Sequence, residues 1–112
     1  MGRDDMSTAT LVKFKFKPGQ KQAWLDWSEE LKRRREEVIV TLKNEGVLSE
    51  SCYISEDGEY VYYLMEVEDL EKALQVFAAS NHPIDNDHRK VLDSSLERVA
   101  NFDCLFHFDN RE

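Results

Sequence analysis

The stretch VLSESCYISEDGEYVYYLMEV, Val47–Val67, decides the fold. Val47 to Ser55 and Tyr60 to Val67 are extended runs, and Glu56-Asp57-Gly58-Glu59 joins them. Asp-Gly between two such runs is a strong hairpin signal. Just before the hairpin, Gly46 follows a helical segment as a C′ glycine should. That segment runs from about Gln20 to Glu45, and its Trp24, Trp27, Leu31, Val38 and Leu42 stack on one helical face. Leu25 and Ile39 widen the stripe. The β-branched stretch Val38-Ile39-Val40-Thr41 opposes a helix, but the periodicity predicts one long helix across it. Lys17-Pro18-Gly19 separates the helix from Thr10 to Phe16, where Val12, Phe14 and Phe16 alternate with Leu11, Lys13 and Lys15. That is a strand with one buried face.

On the other side of the hairpin, Asp69 opens a helix through Ala79, with Leu70, Ala73, Leu74 and Phe77 on its apolar face. Asp69 or Glu68 serves the free N–H groups at its start. Ser80-Asn81-His82-Pro83 interrupts the chain. A further helix runs from Pro83 or Ile84 to Val99, carrying Val91, Leu92, Leu96 and Val99. The last strand is Phe102 to Phe108. The order β-α-β-β-α(α)-β is the split βαβ pattern. It predicts a ferredoxin-like α+β domain with an antiparallel sheet, an extra helical segment before the last strand, and helices on one sheet face.

The 112 residues suffice for one domain. Residues 9–109 form it, residues 1–8 are expected to be a flexible N-terminus, and residues 110–112 a short tail. An apolar fraction of 41% with 11% aromatics excludes a disordered chain. No apolar run approaches the ~20 residues that span a bilayer, and Met1 to Thr10 lacks an apolar signal core. The expected location is the cytoplasm, with no membrane partner. The net charge of −8 argues against nucleic-acid backbones. The basic run Lys32-Arg33-Arg34-Arg35 is flanked by Glu29-Glu30 and Glu36-Glu37 and reads as a solvated helix face. Cys52 and Cys104 fall at inward-looking strand positions and read as buried free thiols.

Function is sought on the sheet face without helices. Taking the more apolar set of each strand as helix-facing assigns Val12, Phe14, Phe16, Leu48, Cys52, Ile54, Val61, Tyr63, Met65 and Val67 to the core. Phe102, Cys104, Phe106 and Phe108 join them. The opposite face then carries Lys13, Lys15, Ser51, Tyr53, Tyr62, Glu66 and His107. This face mixes aromatic bulk with charge, and suits either a partner sheet enclosing a polar cavity or a polar interface without chemistry. His107, Glu66 and Tyr62 are the candidate acid–base groups. Lys13, Lys15, Ser51 and Tyr53 are candidate substrate contacts, and Lys13 or Lys15 is expected beside His107.

His82-Pro83-Ile84-Asp85-Asn86-Asp87-His88 is the second constellation. His82 and His88 are candidates for the rim of a pocket. Two His and a carboxylate can also bind a divalent metal, although capping alone explains Asp and Asn at a helix start. No phosphate loop, nucleophile motif or paired-cysteine motif is present, and neither a cofactor nor a metal is expected. Trp24 and Trp27 read as core.

The chain resembles the dimeric α+β barrel superfamily from Thr10 to Asp109, and within it the L-rhamnose mutarotase group and small uncharacterised bacterial and archaeal relatives. The likeness rests on the first helix with Trp27 to Leu31, on Asn44-Glu45-Gly46, on Cys52-Tyr53-Ile54 and on Tyr63-Leu64-Met65-Glu66-Val67. The first helix lacks the catalytic His of the mutarotases, and His82-Pro83-Ile84-Asp85 stands where they carry paired Trp. The resemblance implies a homodimer paired through the sheet, with a pocket for a small polar metabolite handled by mutarotase- or isomerase-like acid–base chemistry. A cofactor-independent monooxygenase and a non-catalytic binding module are the alternatives.

Overall fold

The computed structural model describes residues 8–110. Eight elements follow one another: β1 (Thr8–Phe16), α1 (Lys21–Arg33), α2 (Arg35–Glu45), β2 (Val47–Ile54), β3 (Tyr60–Val67), α3 (Leu70–Ala79), α4 (Pro83–Ser95) and β4 (Leu96–Phe102). The strands form one antiparallel sheet in the order β2-β3-β1-β4. Thr8, counted in the sequence with the flexible terminus, pairs with Val67. Residues 1–7 and 111–112 lie outside the described residues.

The hairpin forms as its sequence dictates. Gly58 takes φ 74°, which costs a glycine little. Asp57 Oδ1 accepts from the Glu59 N–H at 2.9 Å and from Ser55 Oγ at 2.6 Å. Gly46 takes φ 73° and closes α2. A Cβ there would stand 3.2 Å from Glu68 Oε1.

The core lies between sheet and helices. Phe14, Trp24, Trp27, Val61, Ile84 and Leu96 form its main cluster, and Val47, Val67 and Ala73 a second one. The faces expected for β1 and β3 are therefore those found. Three other expectations are corrected.

First, the long helix is two. Arg34 leaves helical geometry at φ −102°, ψ 31°, and its N–H is shared between the carbonyls of Glu30 and Leu31. The Arg34 guanidinium bonds Glu37 at 2.9 Å and reaches Asp87 on α4 at 3.0 Å. One residue of the supposed solvated run thus ties the helix junction to a second helix. Ahead of it, in α1, Lys32 and Arg33 do form the expected intrahelical pairs with Glu29 and Glu30.

Second, α4 ends at Ser95 and the last strand is Leu96–Phe102, not Phe102–Phe108. Leu96 and Val99 continue the spacing of Val91 and Leu92, so their period fits a helix. But β1 has β3 on one side only, and its other edge needs partners. The Lys17 N–H binds the Ser95 carbonyl at 2.8 Å, so the chain leaves α4 already beside that edge. Pairing runs from Phe16↔Leu96 to Leu11↔Phe102, with a bulge that leaves Val99 outside the ladder. Phe102, Cys104, Phe106 and Phe108 are consequently exposed rather than core, Phe106 at 74% and Phe108 at 87%. Neither cysteine is buried: both are free and exposed.

Third, a register shift between Val47 and Ser49 puts Val47 opposite Val67 in the core and leaves Leu48 exposed.

Candidate functional site

A cavity of about 210 Å³ opens between sheet and helices. Val12 and Phe14 of β1, Met65 of β3, Ala73, Leu74 and Phe77 of α3 and Leu92 of α4 make most of its wall. Its polar lining comprises Glu45, Tyr63 and His88, together with Thr10 and Arg98. Glu50 and Asp85 join Glu45 and His88 around a smaller adjoining space.

His88 is the centre of this polar cluster. α4 projects it inward because its apolar residues Ile84, Val91 and Leu92 fix which side of the helix meets the sheet. The rings of Trp24, Trp27, Tyr63 and Phe77 surround it at centroid distances of 6.0–6.2 Å. Trp27 Nε1–H donates to His88 Nδ1 at 2.8 Å. An indole N–H can only donate, so Nδ1 is an acceptor and the ring proton sits on Nε2. Nε2–H then donates to Tyr63 Oη at 3.2 Å. Trp27, His88 and Tyr63 thus form one chain of hydrogen bonds with a single direction. Glu50 lies close enough to the Tyr63 hydroxyl for each to shift the other's titration.

Burial sets the electrostatics. It pushes the His88 pKa down to about 4, so the ring is neutral through the physiological range. It raises Tyr63 well above the usual phenol value, assisted by the nearby Glu50 charge. Burial also raises Glu50, against the pull of the Tyr63 hydrogen bond. Glu45, at the last residue of α2, is pushed up to about 7 by burial and by the charges of Asp85 and Glu50. Asp85 is buried and accepts from Ser80 Oγ at 2.5 Å. A carboxyl that titrates near neutrality at the wall of an apolar cavity can take or give a proton there.

The structure distributes the residues singled out in the sequence over three places. His88 is in the inner cavity. His82 is exposed at the start of α4, where its N–H takes Ser80 Oγ at 3.1 Å. With both His88 nitrogens engaged inside the core, His82, Asp85 and His88 do not make a common metal site. The remaining residues are on the outer face. Lys13 pairs with Tyr62 and Tyr62 with Tyr53, and Ser51 lies one step along β2 opposite Leu64. Lys13 Nζ sits 4.0 Å from the Tyr60 ring centroid, and Lys15 Nζ lies 3.8 Å from Glu97.

His107 stands 2.8 Å from Glu66, whose other oxygen accepts from Ser49 Oγ at 3.3 Å. His107 reaches this position from the segment after β4, not from a strand. The lysines are not beside it. Glu66 is level with Ala9 on β1, whereas Lys13 lies four residues further along, about 13 Å at strand rise.

Glu45 and Glu50 were not singled out in the sequence. A signal existed for Glu50: it fills the gap between Leu48 and Cys52 in the set read as helix-facing, so a carboxylate was due on the core side of β2.

An antiparallel β2-β3-β1-β4 sheet with helices over one face, and a cavity between the layers, defines the protein as a ferredoxin-like α+β domain. The chain belongs to the family of unknown function DUF6176, whose profile matches residues 7–111. No curated protein matches the sequence significantly. Among solved structures it is similar to a putative antibiotic biosynthesis monooxygenase from Bacteroides thetaiotaomicron, with a TM-score of 0.64, 17% identity, and 96% and 95% of the two chains covered. It is also similar to an L-rhamnose mutarotase from Formosa agariphila, with a TM-score of 0.60, 18% identity, and 91% and 99% covered. A protein from Pseudomonas aeruginosa gives 0.59, 20% identity, and 96% and 100% covered. At these identities the likeness is one of fold.

Proposed function

We propose that the protein is an acid–base enzyme acting on a small, mainly apolar ring compound in the inner cavity. The observation that carries this is the cavity itself, mainly apolar along its walls, with Glu45 and His88 among its few polar lining groups. A ligand seated there presents a hydroxyl or an activated C–H to a carboxyl that titrates near neutrality. Glu45 takes the proton, and the Tyr63 hydroxyl, which accepts from His88 Nε2–H, turns its own proton to the oxygen on which charge develops. Trp27 supports this by holding His88 in one tautomer. The aromatic wall favours a monooxygenase-like reaction, in which an electron-rich deprotonated ring meets dioxygen, over sugar chemistry.

The test is a thermal-shift screen of phenols, quinols and enolisable ring ketones, since a ligand of the native state raises the melting temperature by mass action. Hits are mapped by NMR. The reading requires the Trp27 indole N–H to move and the shift to be lost in Glu45→Gln. Hits that perturb only Tyr62 and His107 would refute it.

A second reading keeps the chemistry on the outer face, favoured by the 2.8 Å contact of His107 with Glu66. There Tyr62 would share the acid–base role, and Lys13, Lys15, Ser51 and Tyr53 would hold a polar metabolite, as in a mutarotase or isomerase. In either reading we infer a homodimer. Leu105, Phe106 and Phe108 are exposed beside the outer face, and a second copy would cover them. Light scattering at tens of micromolar should give twice the chain mass. No helix among the described residues is long and apolar enough to cross a membrane. Two free thiols accord with a reducing cytoplasm.

A further inference from the structure

The segment after β4 is inverted for a chain end lying on a protein surface. Phe106 and Phe108 face solvent, while the intervening His107 and the following Asp109 are partly buried. Side chains two apart on an extended chain share a side, so His107 and Asp109 both turn toward the sheet. There they meet Glu66, a buried residue of the central strand β3. One ligand-type atom of each, two carboxylate oxygens and an imidazole nitrogen, lie within 4.8 Å of one another.

We propose that Glu66, His107 and Asp109 bind a divalent transition cation of the Zn²⁺ or Mn²⁺ class, which fastens the chain end to the sheet. Three observations point the same way. The first is distance: donors on one tetrahedral ion stand about 3.4 Å apart at metal–ligand bonds of about 2.1 Å, so the 2.8 Å Glu66–His107 contact need only open slightly and Asp109, within 4.8 Å of both, need only close in slightly. The second is donor chemistry: one imidazole and two carboxylates suit zinc, manganese and ferrous iron. The third is orientation. Ser49 Oγ holds Oε1 of Glu66 at 3.3 Å, which leaves Oε2 directed at His107 Nε2, 2.8 Å away. An outer hydrogen bond of that kind is what orients a ligating carboxylate. This inference is independent of the inner-cavity chemistry, because none of its residues lines that cavity.

The experiment uses the full chain, stripped with a chelator and titrated calorimetrically with zinc chloride and with manganese chloride. The expected result is one ion per chain and a rise in melting temperature. At least tenfold weaker binding is expected in Glu66→Gln, His107→Gln and Asp109→Asn. Amide exchange across residues 103–110 should slow when the metal is added. Glu66→Gln removes a buried group and can perturb folding, so Asp109→Asn, in the terminal segment, is the deciding variant. Cys52→Ser, Cys104→Ser and His82→Gln should bind as the wild type does. Absence of binding by the stripped wild-type chain would overturn the proposal. So would binding that survives Asp109→Asn and His107→Gln, or binding that is lost in a Cys→Ser variant.

Discussion

Glu45→Gln should abolish much of the loss of stability that the protein suffers on going from about pH 5 to pH 8. The carboxyl moves from an ordinary value of 4.5 to about 7 on folding. A group whose pKa is raised in the folded state contributes stability that is fully present below its unfolded value. That contribution is lost as the pH climbs through the folded one. At about 1.4 kcal/mol per unit, the rise is worth about 3 kcal/mol, most of it expressed between about pH 5 and pH 8. Glu50 shifts in the same direction and adds to the slope. Glutamine keeps the shape and removes the charge that Asp85 and Glu50 oppose. Urea unfolding followed by Trp fluorescence suits the measurement, because Trp24 and Trp27 are both buried. At about pH 4.5 the two proteins should agree within ~0.5 kcal/mol, and at pH 8 the variant should lead by ~2–3 kcal/mol. The acid limb has a different origin. His88 is depressed to about 4, so its contribution is present above its ordinary 6.5 and lost as the pH falls through 4. Glu45→Gln should leave that limb alone. Equal slopes for wild type and variant between pH 5 and 8 would show that Glu45 is solvated and that the cavity has no group poised near neutrality.

Phe14→Ala should cost about 3–5 kcal/mol in chemical denaturation, since its side chain is core. Trp27→Phe deprives His88 Nδ1 of its donor inside the core and should cost about 1–3 kcal/mol. ¹⁵N spectra of His88 should then report a mixed tautomer. Gly46→Ala meets both a left-handed backbone and the Glu68 carboxylate, and should cost about 1 kcal/mol or more in the same unfolding assay.

Much of the architecture was legible because local and global signals agree there. Asp57-Gly58 admits a hairpin of one register, and Val12, Phe14 and Phe16 admit a strand with one inner face. The last strand was not legible, because Leu96 and Val99 satisfy a helical period. What places them in the sheet is the open edge of β1, which no local window reveals. The break at Arg34 was hidden for a similar reason: the deciding partner, Asp87, is remote in sequence. The inner site was the least legible. Trp24, Trp27 and Tyr63 have the spacing of ordinary core residues, Asp85 that of a helix start, and Glu45 that of a helix end. Only Glu50, a charge at an inward position of β2, broke a rule, and such breaks mark functional places.

The position of β1 in the sheet has a consequence for how the molecule is made. Leu11 and one of its partners, Phe102, stand some ninety residues apart, so Leu11 leaves the ribosome long before the strand that pairs with it. The β2–β3 hairpin and the four helices can form locally on microsecond timescales, but β1, which joins the sheet's two halves, waits until β4 has been made. Until then its Val12, Phe14 and Phe16 have no complete surface to cover. The sheet must therefore close late and through distant contacts, which makes folding slower than the chain's small size suggests. A nascent chain that stops before Leu96 keeps an open β1 edge and is the form most exposed to pairing with a neighbour.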